Sequence, residues 1–265
     1  GAAAECGGGL WRVEAKEADA ARLAERAPGY AHQATAAQHL PSEGQRLQCF
    51  ASLAPQWDGM LNELDAGQDS VKYRKALLRK ARGDVLEVAV GTGQCFQCLR
   101  PERVKSYIGV DVVEAMLEAA RSKLSGLPFP ARLERADMHA LPFEDASFDT
   151  VFGTLCLCSS EQPERALDEM ARVCRPGGRV LLLEHGLAAS APLRWVQRFW
   201  GVHPSPRHVW NYGCYDDRDP EALVKASPLK IVSLETVGNV YVIVARRRAP
   251  EASGAATAEK RGSEE

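Results

Sequence analysis

Three acidic residues stand in or after apolar runs near the middle of the chain. Glu87 interrupts one run, Asp111 directly follows the next, and Asp137 closes a third segment. A carboxylate can accept two hydrogen bonds from a vicinal diol, whereas an unpaired carboxylate is costly to bury. Asp111 stands about twenty residues after the glycine turn Gly91-Thr92-Gly93. Nucleotide-binding folds place the acid that holds a ribose at this separation in sequence.

A glycine turn, Gly91-Thr92-Gly93, follows the apolar run Val85–Val90. Such a run suits a strand that is buried on both faces of a parallel sheet. The glycines allow a sharp turn and the close approach of a ligand. Two interpretations stay open for the turn alone: a tight connection beside a solvated acid, or a nucleotide-type ligand lying over the end of the first strand.

Further strands and helices alternate along the chain and would hold these residues at one edge of a sheet. The pattern predicts strands at Ser106–Val110, Arg132–Ala136, Ser147–Thr154 and Arg179–Glu184, helices at Val112–Leu124, Glu161–Val173 and Asp219–Ala226, and a final antiparallel pair at Ile231–Leu234 and Val240–Ala245. The predicted fold is therefore α/β, with a doubly wound, seven-stranded, mostly parallel sheet.

Length and charge limit the possible functions. The 265 residues suffice for one α/β domain with extensions, and the net charge of −2 with a pI near 6.4 does not favour bulk polyanion binding. We expect no DNA partner and consider RNA disfavoured. The eight cysteines suggest reduced thiols rather than a disulfide framework, and no apolar run reaches the length needed to cross a bilayer.

Cys95 and Cys98 form a Cys-x-x-Cys pair at a predicted helix start. That position would lower the pKa of a thiol and could serve redox chemistry or half a metal site. No second cysteine or histidine pair follows at zinc-finger spacing, so we favour buried packing residues and expect no metal.

Composition suggests three parts. Residues 1–55 are predicted as an extension that is partly disordered or helical, with 41–55 irregular; residues 56–246 as the main domain, including a lid or acceptor region at 187–217; and residues 247–265 as a disordered tail. For a basic amphipathic helix before residue 81 we favour packing on the sheet with a solvated charged face. Alternatively, Trp57, Lys72 and Tyr73 could face the site. The aromatic region 187–217 could be a packed cap, an acceptor wall or a peripheral membrane contact.

Taken in order, these motifs resemble the class I S-adenosylmethionine-dependent methyltransferases, over about Asp84–Gly186 and more weakly to Arg246. The segments Gly83–Val88, Thr154–Ser159 and Leu183–His185 are similar to the branch that contains Oms1-type and small-molecule thiol methyltransferases. The quinone C-methyltransferases are the second closest resemblance.

The resemblance implies S-adenosylmethionine as cofactor and a Rossmann-like fold. By the same resemblance, the methionine and ribose portion would contact Glu87, Gly91 and Gly93, the ribose hydroxyls Asp111, the adenine Val112, Asp137 and Met138, and the reacting methyl group Thr154 and Leu155. Ala89 and Met116 are further expected cofactor contacts. The family usually has glycine where this chain has Ala89, and that departure could lower cofactor affinity.

The expected function is methyl transfer to a small or lipophilic acceptor, either a thiol or a quinone-like ring. His185 is the candidate base, although it could instead be satisfied within its turn, and a thiol acceptor would need no strong base. We expect Cys156 and Cys158 to be packing residues.

Two other functions compete. One is a catalytically silent methyltransferase fold that serves as a subunit or assembly factor of a larger complex, possibly mitochondrial. The other is a nicotinamide-dependent oxidoreductase, which is disfavoured because Phe96 replaces the last glycine of the dinucleotide motif. By resemblance we expect a mitochondrial location, with a cytoplasmic one as the alternative and a peripheral membrane or complex association as a further expectation.

Overall fold

A computed structural model describes residues 40–59, 70–199, 209, 213–215 and 217–248. The predictions for the first 39 residues, for the tail from 249 onward and for most of 200–216 lie outside these described residues. Within them, no helix has the length and apolar character that crossing a membrane would require.

The described residues form a seven-stranded sheet with helices on both faces. The strands are β1 Gly83–Val88, β2 Val104–Asp111, β3 Ala131–Arg135, β4 Phe148–Thr154, β5 Cys174–His185, β6 Leu229–Val237 and β7 Val240–Arg247. The helices are α1 Glu43–Leu53, α2 Ser70–Leu78, α3 Glu114–Leu124, α4 Pro163–Val173, α5 Ala191–Phe199 and α6 Pro220–Ala226.

The strand order is β3-β2-β1-β4-β5-β7-β6. Strands β1 to β5 pair in parallel, and β7 pairs antiparallel with both β5 and β6. The direction of winding reverses between β1 and β4, and in an open α/β sheet this reversal opens a crevice at the carboxyl ends of the strands. The predicted doubly wound, mostly parallel sheet is confirmed.

Alternating side chains of the central strands enter two separate cores. Val85 of β1 packs in the core that includes Leu77 of α2 and Leu117 of α3. Leu86, the next residue, packs in the core that includes Met170 of α4 and Val224 of α6. Strand β1 is therefore buried on both faces, as its continuous apolar run predicts.

The prediction that segment 41–55 is irregular is wrong, because this segment contains helix α1. Ser42 caps this helix: its hydroxyl accepts from the Gln45 N–H, and the Gln45 side chain accepts from the Ser42 N–H. This reciprocal capping box stabilises a helix start without a strong apolar pattern, which is why periodicity alone misses it.

Two local predictions are also corrected. The turn after Gly93 leads into a short 3-10 helix, Phe96–Cys98, rather than an α-helix. In addition, an amphipathic helix at Val112–Leu124 would be expected to turn Val113 and Met116 toward the sheet, but both pack with Ala54, in the segment that follows α1. The burial of a helix face depends on which element covers it, and α1 had not been recognised as a helix.

Candidate cofactor and acceptor site

A cavity of about 260 Å³ opens at the carboxyl ends of β1, β2 and β4. Most of the predicted cofactor-binding residues line it, namely Ala89, Gly91, Asp111, Val112, Met116, Asp137, Met138, Thr154 and Leu155. These residues come from the carboxyl ends of four strands and from the segments that follow them, so the topology of the sheet is what brings them together. The volume lies just below the range of about 300–1,000 Å³ that is typical of ligand pockets.

Asp111 fastens the glycine turn to the second strand. Its carboxylate accepts hydrogen bonds from the Gly91 N–H and the Val113 N–H, each at 2.9 Å. Burial raises the pKa of Asp111, and these backbone donors oppose that shift. Only two of its lone pairs are used in these bonds, so the carboxylate retains acceptor capacity toward the cavity for a diol.

The backbone around the turn adopts conformations that favour glycine. Gly93 has a φ of +79°, and an added Cβ would lie 2.6 Å from the Phe96 ring. Ala89 and Leu155, which both line the cavity, have φ values of +51° and +55°. Non-glycine residues in this region carry strain, which tends to concentrate at functional sites.

Two predicted cofactor residues, Glu87 and Gly93, are not among the residues that line the cavity. Glu87 is buried beneath the turn and accepts a hydrogen bond from the Tyr107 hydroxyl. Desolvation raises the pKa of Glu87 to about 8. Its place in β1 puts it on the same face as Val85, so it supports the turn from below.

His139 lines the cavity and was not identified from sequence. Its Nδ1 lies 2.7 Å from Asp137 Oδ1, and its Nε2 lies 2.6 Å from the Ser160 hydroxyl. These contacts orient both the imidazole and the Asp137 carboxylate. The Asp-x-His spacing in a loop after β3 was the available signal.

Helices α1 and α2 supply a further wall that sequence reasoning mostly missed. Arg46, Leu47 and Phe50 of α1 and Arg74 of α2 line the cavity, as does Trp57, which was predicted to face the site. Lys72 and Tyr73 are not lining residues; Lys72 is exposed with its ammonium 5.8 Å from the Tyr73 ring centroid. In α2 the inward basic residue is therefore Arg74.

Asp58 holds this wall against the glycine turn. Its carboxylate accepts from the Thr92 hydroxyl at 2.5 Å and from the Gln94 amide at 3.1 Å, and it pairs with Lys123 of α3. The residues around α1 are thus tied directly to the loop that follows β1.

The Cys-x-x-Cys pair is buried, as favoured, and Cys95 also lines the cavity. Cys95 and Cys98 are buried, and desolvation raises the pKa of both thiols instead of lowering it. Cys95 Sγ lies 3.4 Å from the Thr154 hydroxyl. A short 3-10 turn buried against the sheet desolvates a thiol more strongly than its backbone dipoles can compensate.

His185, the candidate base, lies at the end of β5 and is not among the residues that line the cavity. Its imidazole is close to the thiols of Cys158 and Cys214. A hydrogen bond from Cys214 and the proximity of His185 hold the pKa of Cys158 well below its usual range, against the effect of burial. The structure therefore does not bring His185 to the wall of the cavity.

Comparison with known proteins agrees with this geometry. The model of the methyltransferase domain family matches residues 86–182. The demethylmenaquinone methyltransferase of Deinococcus radiodurans is 37% identical over 172 residues, which cover 62% of this chain and 70% of that protein. The mitochondrial methyltransferase OMS1 of Saccharomyces cerevisiae is 27% identical over 197 residues, covering 67% of this chain and 41% of that protein.

A solved methyltransferase structure has the same fold. The structure of an S-adenosylmethionine-dependent methyltransferase from Mesorhizobium loti superposes with a TM-score of 0.55 at 18% identity, covering 69% of this chain and 99% of that one. The glycine turn, the buried acid after β2 and the acid after β3 fit S-adenosylmethionine, which supplies an activated methyl group when bound. The chain belongs to the class I S-adenosylmethionine-dependent methyltransferases.

Proposed function

We propose that this methyltransferase acts on a lipophilic, quinone-like ring. The main support is its similarity to a demethylmenaquinone methyltransferase, which the chain covers over more than two thirds of that protein's length. Methyl transfer from a sulfonium mainly requires that donor and acceptor be aligned. A thiol acceptor is the alternative for the same cavity.

The wall formed by α1 supports an apolar, flat acceptor. Phe50 and Trp57 meet edge to face with ring centroids 5.6 Å apart, and Leu47 and Met116 lie on the same cavity. Aromatic and aliphatic side chains of this kind bind planar rings through burial and ring contacts. Asp111 and Asp137 supply polar groups to the same cavity, and we place the cofactor beside them.

Helix α5 supports access from a lipid phase. Leu193, Trp195 and Val196 are exposed on it, and Trp195 has 64% of its surface accessible. An exposed aromatic and aliphatic patch on a short helix suits a peripheral membrane contact, where a lipophilic acceptor would be found. The OMS1 similarity supports a mitochondrial location, with a cytoplasmic one as the alternative.

The test is methyl transfer with purified protein, labelled S-adenosylmethionine, and either a short-chain demethylmenaquinol or a panel of alkyl thiols. We expect label in the quinol product and a strong loss of turnover in Phe50→Ala, with cofactor affinity retained. Labelled thiols with an inert quinol would overturn the quinone proposal. Cofactor binding without turnover on any acceptor would instead favour a catalytically silent subunit.

Replacing Ala89 with glycine should tighten cofactor binding severalfold. A left-handed conformation costs a non-glycine residue about 1 kcal/mol. The methyl group of Ala89 also takes up space in the cavity. Glycine adds up to about 1 kcal/mol of unfolded-state entropy, so the free energy of unfolding should change little. Calorimetry with S-adenosylhomocysteine measures the change. Ala136→Gly, on the same cavity, is the control and should not gain affinity; weaker binding in Ala89→Gly would contradict the prediction.

Replacing Arg74 with methionine should weaken S-adenosylmethionine binding by about tenfold, because a charge-assisted hydrogen bond contributes about 1.5–3 kcal/mol. Arg74 is buried on the cavity beside Gln94, where it can pair with the methionine carboxylate. Decarboxylated S-adenosylmethionine provides the sharp comparison, since its affinity should be the same in both proteins. Arg79→Met, at an exposed position just after α2, is the control. An equal loss for both ligands would refute the carboxylate contact.

A further inference from the structure

Three potential metal ligands meet beside the cofactor cavity but outside its lining. They are Cys158, His185 and Cys214, and their ligand atoms all lie within 4.8 Å of one another. Both cysteines are buried and the histidine is half-buried. We call these residues the Cys2His cluster.

The three residues come from separate parts of the fold. Cys158 belongs to the short 3-10 helix Leu157–Ser159 after β4, and His185 is the last residue of β5, where it pairs with Val240. Cys214 lies within the region 187–217 that was predicted as a lid or acceptor region. The sheet fixes the first two positions, and the Tyr215 N–H donates to the Cys158 carbonyl at 2.7 Å, which anchors the third.

This set of ligands suits zinc. Zn²⁺ binds cysteine thiolates and histidine nitrogen in tetrahedral sites, with metal–ligand bonds of about 2.0–2.3 Å. Two thiolates in such a site stand about 3.8 Å apart. The observed limit of 4.8 Å therefore requires only small side-chain adjustments.

The charges around the cluster are compatible with a divalent cation. Two thiolates would neutralise Zn²⁺, and metal binding would release their protons. Glu184 is already engaged, because its carboxylate accepts from the N–H groups of Cys156, Leu157 and Cys158. Arg218 donates to the Leu157 and Ser160 carbonyls. Zinc, two thiolates and a neutral imidazole together carry no net charge.

We propose that the Cys2His cluster is a zinc site with three protein ligands and water in the fourth position, and that the metal joins the loop after β4, the end of β5 and the segment around Cys214. A disulfide between the two cysteines would need no histidine within the same 4.8 Å, so the third ligand favours the metal. Cys156 and Ser159, on either side of the cluster's first cysteine, line the cofactor cavity. The metal would therefore hold one wall of the cavity in place.

The first test is metal content after growth with added zinc and purification under reducing conditions. We expect about one zinc ion per chain, most of it lost in Cys158→Ser and in Cys214→Ser. Cys98→Ser removes a buried thiol elsewhere and should keep the metal. Cobalt substitution should produce the intense visible absorption of a tetrahedral thiolate site.

A second measurement uses the unaltered protein and does not depend on whether the variants fold. Maleimide labelling followed by peptide mass analysis should find Cys158 and Cys214 protected by zinc and exposed after chelation. The proposal is overturned if the wild-type protein binds neither zinc nor cobalt, or if both serine variants retain the metal. It is also overturned if protein isolated without air contains a Cys158–Cys214 disulfide.

Discussion

Replacing Asp111 with alanine is expected to weaken S-adenosylmethionine binding by about 100-fold. Two charge-assisted hydrogen bonds to the ribose hydroxyls contribute about 3 kcal/mol or more together, and each 1.4 kcal/mol corresponds to about a tenfold change in affinity. The substitution also removes the acceptor for the N–H groups of Gly91 and Val113, so the glycine turn loses its anchor. Titration calorimetry with S-adenosylmethionine and S-adenosylhomocysteine measures the effect directly.

Two comparisons separate the ribose contact from a general loss of structure. Glu118→Ala removes an exposed acid from α3 and should leave affinity unchanged. Asp111→Asn keeps the size and one acceptor, so its affinity should lie between those of the wild type and the alanine variant. If Asp111→Ala folds normally and binds as tightly as the wild type, the ribose site has been placed wrongly.

Replacing Glu87 with glutamine should remove a pH dependence of stability. Desolvation raises the folded-state pKa of Glu87 from 4.5 to about 8, so between these values the folded protein holds a proton that the unfolded chain has released. The stabilising contribution is complete below about pH 4.5 and is lost as the pH rises toward 8. The wild-type free energy of unfolding should therefore fall relative to that of the variant across this range.

A shift of one unit corresponds to about 1.4 kcal/mol, and we expect a relative change of at least about 2 kcal/mol between pH 5 and pH 8. Urea unfolding at several pH values measures it. Because the chain has many other acids, the difference between the wild type and the variant is the informative quantity. Glu102→Gln, at an exposed position, should reproduce the wild-type curve. A constant difference between wild type and Glu87→Gln would show that Glu87 ionises normally.

Asp111 and Glu87 both lie near the glycine turn, but we expect Asp111 to bind the cofactor and Glu87 to support the turn. Asp111 ends β2, where its side chain can reach both the glycine turn and the cavity. Glu87 lies within β1, and the alternation of the strand turns it toward Tyr107 and the core that contains α2 and α3. Both acids matter to the same loop, but we expect only Asp111 to dominate cofactor affinity.

The sheet and the position of most predicted cofactor-binding residues could be inferred from the sequence. Apolar runs separated by amphipathic helices require a parallel sheet, and parallel strands bring their carboxyl ends to one edge. Asp111, Asp137 and Thr154, which lie at or just beyond such ends, therefore had to come together near Gly91. The same argument covers Val112, Met138 and Leu155, which are their immediate neighbours.

The elements that cover this edge of the sheet could be identified only from the folded structure. Helix α1 depends on a capping box and on Asp58 for its place, so no periodic pattern indicated that Arg46 and Phe50 would reach the cavity. His185 is the last residue of β5, much as Asp111 is the last residue of β2. The antiparallel pairing of β7 and the return of the chain at Cys214 nevertheless place His185 beside two thiols. Contacts between residues far apart in the chain depend on packing, and local spacing does not encode them.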